Sequence, residues 1–364
     1  MKHSGRLGDS LENLFNNIFR GKKVLVTGHT GFKGSWLSIW LNELGAEVIG
    51  FALDPYTEKD NFVKTGLKDR IIDIRGDVRD YKKLLKIIKE YEPEFVFHLA
   101  AQSLVGYSYT YPRETYLTNI MGTVNLLEAA RRNKKVKVLI NVTSDKCYQN
   151  RETVKGYVEN DRLGGFDPYS SSKACSEIIT EAYRNSYFKN NDNNTSVATV
   201  RAGNVIGGGD WAENRLIPDC VRALNKNRKI EVRNPDAVRP WQFVLDSLRG
   251  YLLLAEKLYK NPHEYSGAWN FGPLENSIIT VGELVDKFVE KWGSGSWHTT
   301  KKREKFHEAK ILKLNTEKSK KYLNWIPLID INDALTFTAN WYKKENISYK
   351  YNVEQVTKYL ELEG

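Results

Sequence analysis

The chain has 364 residues, of which 41% are hydrophobic and 27% charged, as in an ordinary globular protein with a sizeable core. Its net charge of +10 is spread along the chain, and the densest basic run, 301–305, has the pattern of a solvated face, so we expect no nucleic-acid partner. No apolar run reaches the roughly 20 residues of a membrane span, and the first residues lack a signal peptide's apolar core. Three cysteines without short spacing predict neither disulfides nor a metal site, which favours a cytoplasmic protein.

Short apolar strands alternate with helical segments through the first half of the chain. Residues 1–20 precede this alternation, and we expect them to form a peripheral N-terminal helix or arm. The predicted strands are 24–26, 48–53, 71–74, 95–99, 136–142 and 196–200, and the predicted helices between them are 32–44, 81–91, 118–132 and 170–185. Repeated strand–helix units predict an α/β fold with a Rossmann-type doubly wound parallel sheet, which binds ligands beyond the carboxyl ends of its strands.

The alternation loosens in the second half, where Gly207, Gly208 and Gly209 predict a flexible turn. We therefore predict a first domain over 21–203 and a smaller C-terminal lobe over 204–364. Segments 241–260 and 268–273 are candidates to return to the first domain. The lobe's predicted helices are 216–226, 244–259 and 281–291.

Three glycines, Gly28, Gly31 and Gly34, lie between the first strand and the first helix. A dinucleotide pyrophosphate must approach the backbone closely there and meet the helix N-terminus, where free N–H groups favour anions. The alternative is a tight turn that only brings helix and strand together. The strand–loop–helix context favours a nicotinamide dinucleotide site, and the loop residues His29, Thr30 and Phe32 belong to it.

Further cofactor residues follow the later strands. Asp54 stands after the second strand, where a carboxylate binds ribose hydroxyls and repels a 2′-phosphate, so NAD is favoured over NADP. The alternative is that Asp54 merely starts a turn. Asp77 is a candidate for the adenine edge, with a structural role nearly as well supported. The predicted cofactor site is completed by Val78, Leu99, Ala100 and Ala101.

A tyrosine and a lysine four residues apart, Tyr169 and Lys173, begin a predicted helix and share one of its faces. A nearby ammonium and a positive nicotinamide ring lower the pKa of a tyrosine hydroxyl, so Tyr169 is expected to serve as a base. Ser144 follows another strand and is placed to share the substrate's hydroxyl proton. This trio suffices for hydride transfer between a sugar hydroxyl and NAD.

Asp145 and Lys146 come directly after Ser144. Hydride transfer needs no further acid and base, so this charged pair indicates a second event, such as an elimination. The alternative is a pair of solvated loop charges.

At these motifs the chain resembles the extended short-chain dehydrogenase/reductase family of nucleotide-sugar enzymes, which includes NAD-dependent epimerases and dehydratases. Within it, the Ser-Asp-Lys triplet is most similar to the branch that dehydrates CDP-glucose. The matching stretches are TGHTGFKGSWLSIWL (27–41), HLAAQSLV (98–105), SDKCYQN (144–150), YSSSKACSE (169–177), RAGNVIGGGDWAENRLIPD (201–219) and NPDAVRPWQFVLD (234–246).

The resemblance implies a dehydration without net redox change, in which CDP-glucose becomes CDP-4-keto-6-deoxyglucose. Tyr169 would take the proton of the 4-hydroxyl while NAD receives hydride from C4. Asp145 would protonate the departing 6-hydroxyl, and hydride would return to C6. Lys146 would either act as the C5 base, which requires a lowered pKa, or stabilise the enolate. A homo-oligomer, a dimer or tetramer, is also implied.

Substrate residues are expected mainly in the smaller lobe. Arginines bind the phosphate oxygens of a nucleotide sugar in a fork, and Arg239 is the first candidate for this role, followed by Arg215. The other predicted substrate residues are Gln102, Ser103, Asn204, Leu216 and Arg233. No side-chain chemistry in the sequence identifies cytosine, so the base rests on the resemblance alone.

Two other functions stay open at this stage. One is a dehydratase or 4-epimerase acting on another nucleotide sugar, such as dTDP-glucose, GDP-mannose or a UDP-sugar. An epimerase has no need of an elimination acid, which weighs against it. The other is a non-catalytic dinucleotide sensor, for which Ser144, Tyr169 and Lys173 would have no use.

Overall fold

A seven-stranded parallel sheet lies at the centre of the computed structural model, which describes residues 14–153, 155–189, 195–300 and 311–363. We label its strands in chain order. They are β1 (Lys23–Thr27), β2 (Glu47–Ala52), β3 (Ile72–Arg75), β4 (Phe95–His98), β5 (Val138–Val142), β6 (Ser196–Ala202) and β7 (Gly267–Phe271).

The spatial order of these strands is β7-β6-β5-β4-β1-β2-β3, and every neighbouring pair is parallel. The order reverses between β1 and β4, which creates a crevice at the carboxyl edge of the sheet. The predicted Rossmann-type doubly wound sheet is therefore confirmed. β7 contains most of segment 268–273 and pairs with β6.

The described residues form ten helices of seven residues or more. They are α1 (Phe32–Glu43), α2 (Tyr81–Tyr91), α3 (Gly122–Arg131), α4 (Pro168–Tyr183), α5 (Leu216–Leu224), α6 (Val244–Lys260), α7 (Val281–Trp292), α8 (Glu317–Leu323), α9 (Ile331–Lys343) and α10 (Tyr349–Leu360). Shorter helices span Asn61–Lys64, Val105–Thr110 and Pro112–Tyr116, and three two-stranded sheets are formed by Val205–Ile206 with Gln242–Phe243, Val238–Pro240 with Ile278–Thr280, and Ile230–Val232 with Trp297–Thr299.

The two faces of the sheet belong to two separate hydrophobic cores. Because successive strand residues point to opposite faces, Val24 and Val26 of β1 pack into one core with Trp36 of α1. Leu25, between them, packs into the other core with Leu84 of α2. Burial on both faces explains why these strands are continuously apolar.

The last helices of the chain pack against the first one. The hydroxyl of Tyr349 in α10 donates to Glu43 Oε1 at 2.7 Å and accepts from Asn42 Nδ2 at 2.7 Å. The rings of Tyr359 and Trp40 meet edge to face at 6.2 Å. The last helix of the chain therefore packs directly against the helix that follows the first strand.

The N-terminal arm differs from expectation. Phe15, Ile18 and Phe19 are buried, and the Phe19 ring lies 5.0 Å from that of Phe95 in β4. The expectation that residues 1–20 are peripheral is wrong for residues 14–20, because these apolar side chains close the edge of the core. Residues 1–13 and the basic run 301–305 lie outside the described residues.

Two smaller points complete the fold. The helix expected over 118–132 is α3 preceded by a π-helical turn, Leu117–Met121. Across the part of the chain that the structure describes, none of the helices has the length and apolarity to span a membrane.

Candidate active site

The glycine loop between β1 and α1 contains glycines of two kinds. Gly28 has φ +79°, and a Cβ on it would lie 2.7 Å from Ala100 N. A Cβ on Gly34 would lie 2.0 Å from Gly28 O, so these two glycines are required by the loop's own packing. A Cβ on Gly31 would meet only Gly28 O at 3.4 Å. Gly31 thus leaves space at the N-terminus of α1 that the protein itself does not fill, and this space suits a pyrophosphate.

The side chains beside these glycines turn into the protein. His29 is buried, and its Nε2 lies 2.7 Å from Asp73 Oδ1. Thr30 Oγ1 donates to Leu53 O at 3.0 Å. Predicted cofactor contacts of these residues are therefore available only from their backbone. Phe32 is half-buried at the first position of α1.

The predicted adenosine residues lie after β2 and β3. The Asp54 side chain is 86% exposed, and its Oδ1 lies 3.5 Å from Arg75 Nε. Asp77 accepts from the backbone and the guanidinium of Arg79, at 2.8 Å and 2.5 Å. Val78 is buried with its side chain beside Gly122, and its carbonyl accepts from Asn125 Nδ2 at 3.0 Å.

Leu99, Ala100 and Ala101 follow β4 beside the glycine loop. Leu99 N donates to Thr27 O at 3.0 Å, and Ala100 N donates to Thr27 Oγ1 at 3.3 Å. All three are half-buried. They form the wall of the crevice opposite Gly28, where the prediction places the cofactor.

Tyr169 and Lys173 both lie buried in the first turns of α4. Asp167 caps this helix by accepting from Ser170 N at 2.8 Å, which fixes where the helix starts. Lys173 Nζ donates to Val142 O, at the end of β5, at 3.2 Å. Strand end and helix start therefore hold the two residues together.

Burial dominates the titration of this pair. Burial raises the pKa of Tyr169 to about 12, although a hydrogen bond with Ser144 opposes the rise. In the protein chain by itself, desolvation of the phenolate outweighs the stabilising contacts. The expected lowering of this pKa included the charge of a bound nicotinamide ring and stays a prediction. Burial also lowers the pKa of Lys173 to about 8, against the opposing charge of Glu177.

Asp145 and Lys146 lie on a short turn, Asp145–Cys147, after β5. Asp145 is 4% exposed, and its Oδ1 accepts from Ser144 Oγ at 3.0 Å. Burial raises the pKa of Asp145, while the charge of Lys146 opposes that rise. Lys146 is half-buried. A buried, hydrogen-bonded carboxyl is incompatible with the alternative of a solvated loop charge, and its raised pKa suits a proton donor.

Arg215 and Ser103 reach this site from opposite sides. Arg215 Nη2 donates to Ser103 Oγ at 2.9 Å, and Nη1 pairs with Asp210 Oδ2 at 3.0 Å. The Arg215 charge also favours the ionised form of Tyr169. Arg215, a predicted diphosphate residue, is thus close enough to Tyr169 to act on its charge.

Arg239 is buried, its Nη1 donates to Val238 O at 2.9 Å, and its charge acts on Asp145. Gln102 differs from expectation, because its amide donates to Thr115 Oγ1 at 2.8 Å and accepts from Leu104 N at 2.5 Å. Its side chain therefore holds the protein's own chain in place, and a predicted substrate contact from this amide is not supported.

The remaining predicted substrate residues lie around these arginines. Asn204 is half-buried, and its carbonyl accepts from Gln242 N at 2.9 Å. Leu216 is the half-buried first residue of α5. Arg233 is exposed, and its charge acts on Asp219 of α5.

Lys33, between Phe32 and Gly34 at the start of α1, was not predicted as a site residue. Its Nζ donates to the hydroxyl of buried Tyr251 at 3.2 Å. Burial lowers its pKa to about 7, and the charge of Arg215 adds to this effect. A charged residue flanking a loop glycine was the available signal.

Two buried acids were also missed. Asp210, after the triple glycine, pairs with Arg215. Glu177 pairs with Arg201. Glu177 was detectable, because it follows Lys173 by four residues and so lies on the same face of α4.

A dinucleotide loop, a Tyr-Lys pair and a serine at the carboxyl edge of a doubly wound sheet define an extended short-chain dehydrogenase/reductase. The chain belongs to this group, and residues 25–338 match the family described as GDP-mannose 4,6 dehydratase. The resemblance seen in the sequence is thereby confirmed.

The chain is 48% identical to CDP-glucose 4,6-dehydratase of Salmonella typhimurium over 330 residues, covering 90% of this chain and 92% of that protein. Its structure is similar to dTDP-glucose 4,6-dehydratase of Bacillus anthracis in complex with NAD (TM-score 0.74, 25% identity, 91% of this chain and 100% of the other). It is also similar to dTDP-glucose 4,6-dehydratase of Streptomyces venezuelae with NAD and TYD bound (TM-score 0.76, 25% identity, 89% and 97%).

Proposed function

We propose that the protein catalyses the NAD-dependent dehydration of CDP-glucose to CDP-4-keto-6-deoxyglucose, as a hydro-lyase. The observation that carries this proposal is the buried carboxyl of Asp145, hydrogen-bonded to Ser144 beside the Tyr169–Lys173 pair. A plain oxidoreductase needs no such acid. The 48% identity to a CDP-glucose 4,6-dehydratase supports both the reaction and the nucleotide.

The residues present suit NAD. Gly31 opens space at the N-terminus of α1 for the pyrophosphate, and exposed Asp54 is accessible to ribose hydroxyls. When bound, NAD supplies the acceptor for the C4 hydride and returns that hydride to C6. Solved relatives carry NAD, which supports this assignment.

Tyr169, Ser144 and Lys173 serve the oxidation of C4. Tyr169 accepts the proton of the sugar 4-hydroxyl, and Ser144 shares that proton through its own hydroxyl. With its pKa at about 12, Tyr169 needs nearby positive charge to hold the phenolate. Lys173, one helical turn away, provides such a charge below about pH 8.

Asp145 and Lys146 serve the elimination. The 4-ketone acidifies the C5 proton, so a base removes it as the 6-hydroxyl departs. Asp145, whose pKa is raised by burial, is proposed to donate a proton to that hydroxyl, which leaves as water. Lys146, as a neutral amine, is the proposed base that takes the C5 proton, and this proton returns to C5 when hydride reaches C6. Its alternative role is to stabilise the enolate as an ammonium.

Two arginines are proposed to hold the substrate diphosphate. Arg215 lies between Asp210 and Ser103 with its guanidinium near Tyr169. Arg239 acts electrostatically on Asp145, so a diphosphate bound there would also influence the acid. Forked guanidinium groups suit phosphate oxygens.

One assay tests the whole assignment. The protein is incubated separately with CDP-glucose, dTDP-glucose, UDP-glucose and GDP-mannose, and each product is examined by mass for loss of water. We expect dehydration of CDP-glucose in preference to the others. Preferred dehydration of another nucleotide sugar would contradict the proposal, and binding of NAD without any turnover would instead favour a dinucleotide sensor.

A second candidate is dehydration of another nucleotide sugar. It is favoured by the match of residues 25–338 to the GDP-mannose 4,6 dehydratase family. A 4-epimerase is disfavoured, because Asp145 has no function in that reaction. The same assay distinguishes these alternatives.

We also propose a homo-oligomer in the cytoplasm. Ile178 of α4 is 54% exposed and Met121, just before α3, is 43% exposed, which supports a subunit contact at these helices. Three free cysteines, two of them buried, support a reducing compartment. Light scattering should give the mass of a dimer or tetramer, and a monomer would contradict this part.

A further inference from the structure

A buried ion pair lies beneath the proposed catalytic groups. Arg201 of β6 and Glu177 of α4 are 2% and 3% exposed. Their side chains meet in a fork, with Arg201 Nε to Glu177 Oε1 at 2.9 Å and Nη2 to Oε2 at 2.8 Å. Thr199 Oγ1 donates to Glu177 Oε2 at 2.6 Å, and Thr143 Oγ1 donates to Oε1. The carboxylate is therefore fully satisfied.

The third guanidinium nitrogen of Arg201 contacts Tyr148, the residue after the turn Asp145–Cys147, which we call the elimination turn. Its Nη1 donates to Tyr148 Oη at 2.6 Å and to Glu159 O at 2.9 Å. Tyr148 directly follows the turn that carries Asp145 and Lys146, and its hydroxyl donates in turn to Asn270 Oδ1 of β7 at 2.8 Å. One arginine thus links α4, β6, the elimination turn and β7.

The end of β6 also lies close to the carboxyl group of Asp145. Gly203 follows β6, two residues after Arg201, and a Cβ on it would lie 2.7 Å from Asp145 Oδ2. The end of β6 and its arginine therefore contact the elimination turn at both of its ends.

We propose that Glu177, Arg201 and Tyr148 are positioning residues for the elimination step, which hold the turn bearing Asp145 and Lys146 against the helix bearing Tyr169 and Lys173. This inference rests on the proposed function and adds to it. Tyr169 and Lys173 are held by their own helix and by Val142 O, so their positions do not depend on this link, although the Glu177 charge acts on Lys173. Asp145 and Lys146 lie outside any regular element of more than three residues, so their geometry depends on it.

If the geometry of Asp145 and Lys146 depends on these contacts, weakening them should affect the loss of water and C4 oxidation differently. Loosening the turn should slow removal of water while C4 oxidation continues, because a misplaced acid loses rate steeply with distance. A group that merely stabilises the fold would lower both steps together. The ratio of the two rates is therefore the quantity to measure.

Tyr148→Phe is the sharpest variant, because it removes only the hydroxyl shared by Arg201 and Asn270. Its ring can remain stacked on Tyr157, whose ring lies 5.0 Å away at 18°. With CDP-glucose we expect an about tenfold lower kcat for water loss with unchanged KM, and accumulation of bound reduced nicotinamide.

Tyr157→Phe is the matched control, since within the part of the chain that the structure describes the Tyr157 hydroxyl bonds to Asn150 and to the backbone of Arg151, and not to Arg201. We expect it to leave the ratio of the two steps unchanged. If Tyr148→Phe slows oxidation and elimination equally, or neither, the positioning role is wrong. Wild-type protein that dehydrates no nucleotide sugar would overturn the proposed function instead.

Glu177→Gln gives a second readout in the pH profile. The Glu177 charge raises the pKa of Lys173, so its removal should move the alkaline limb of C4 oxidation to lower pH. Thermal melting of the variant shows whether it folds, and Tyr148→Phe remains decisive if it does not. An unshifted limb in a folded Glu177→Gln protein would contradict the coupling of this ion pair to Lys173.

Discussion

The two halves of the site are built by different means. The oxidation half, with its glycine loop, Tyr169 and Lys173, is positioned by regular strand ends and helix starts. The elimination half, Asp145 and Lys146 in the proposed mechanism, lies on a three-residue turn, and the adjacent Tyr148 connects this turn to a buried ion pair of Glu177 and Arg201 from other elements. Local backbone therefore positions the residues proposed for the redox chemistry, whereas long-range side-chain contacts hold the residues proposed for the acid–base chemistry that follows it.

The largest expected effect is that of Asp145→Asn, which should slow elimination without slowing oxidation. An amide of the same shape has no proton to donate to the 6-hydroxyl, so we expect water loss to fall by about 10³-fold while C4 oxidation persists. Product mass and the absorbance of reduced nicotinamide measure the two steps. Asp236→Asn, at an exposed carboxylate of the second half, is the control. Equal loss of both steps would show that Asp145 is not specific to elimination.

Lys146→Ala tests the base. We expect exchange of the C5 proton with solvent deuterium to slow by about 10²-fold, because the variant lacks the amine that is proposed to accept this proton. Deuterium content of the product, measured by mass, reports the exchange, and Lys134→Ala at an exposed position is the control. Exchange at a near wild-type rate would rule out Lys146 as the base and leave it as an enolate stabiliser.

Two glycine substitutions, Gly31→Ala and Gly34→Ala, test the predicted cofactor site and the packing of the glycine loop separately. The Gly31 methyl would enter space that the protein leaves open, so NAD should bind about tenfold more weakly without loss of folding stability. The Gly34 methyl would overlap Gly28 O at 2.0 Å, so this variant should unfold at a lower denaturant concentration. Calorimetric titration and denaturation curves measure the two effects. Unchanged NAD affinity in Gly31→Ala would contradict the placement of the pyrophosphate.

The smallest expected effect is that of pH on the oxidation half. Burial lowers the pKa of Lys173 to about 8, so this ammonium loses its proton as the pH rises through that value. Support for the Tyr169 phenolate is lost with it, and C4 oxidation should decline on the alkaline side of about pH 8. Single-turnover formation of reduced nicotinamide across a pH series measures this limb. A flat profile through that range would show that the Lys173 charge is not required.

Most of the sheet could be predicted from the sequence because its strands are buried on both faces and are therefore continuously apolar. The helices α9 and α10 were not predicted. Thr336, Thr338 and Trp341 in α9, and Tyr349 and Tyr351 in α10, are weak helix formers, so these helices depend on tertiary packing that local propensity does not contain.

The site shows the same division. Tyr169 and Lys173 are recognisable because their spacing lies within one helix. Arg201 is not, because its partners Glu177 and Tyr148 lie 24 and 53 residues away and meet it only once the sheet is assembled. Gln102 was predicted as a substrate residue because it follows the strand that ends at Leu99, but in the structure its amide bonds to Thr115 Oγ1 and Leu104 N.

The packing of α10 on α1 has a consequence for how the protein unfolds. Tyr349 closes hydrogen bonds to Asn42 and Glu43, and Tyr359 packs on Trp40, so the two ends of the sequence share one interface. Removing the final helix would expose the helix that begins at the glycine loop, far from the cut in sequence. We therefore expect that the dinucleotide domain does not fold by itself and that denaturation proceeds as one cooperative transition, in which the proposed cofactor-binding and substrate-binding parts unfold together.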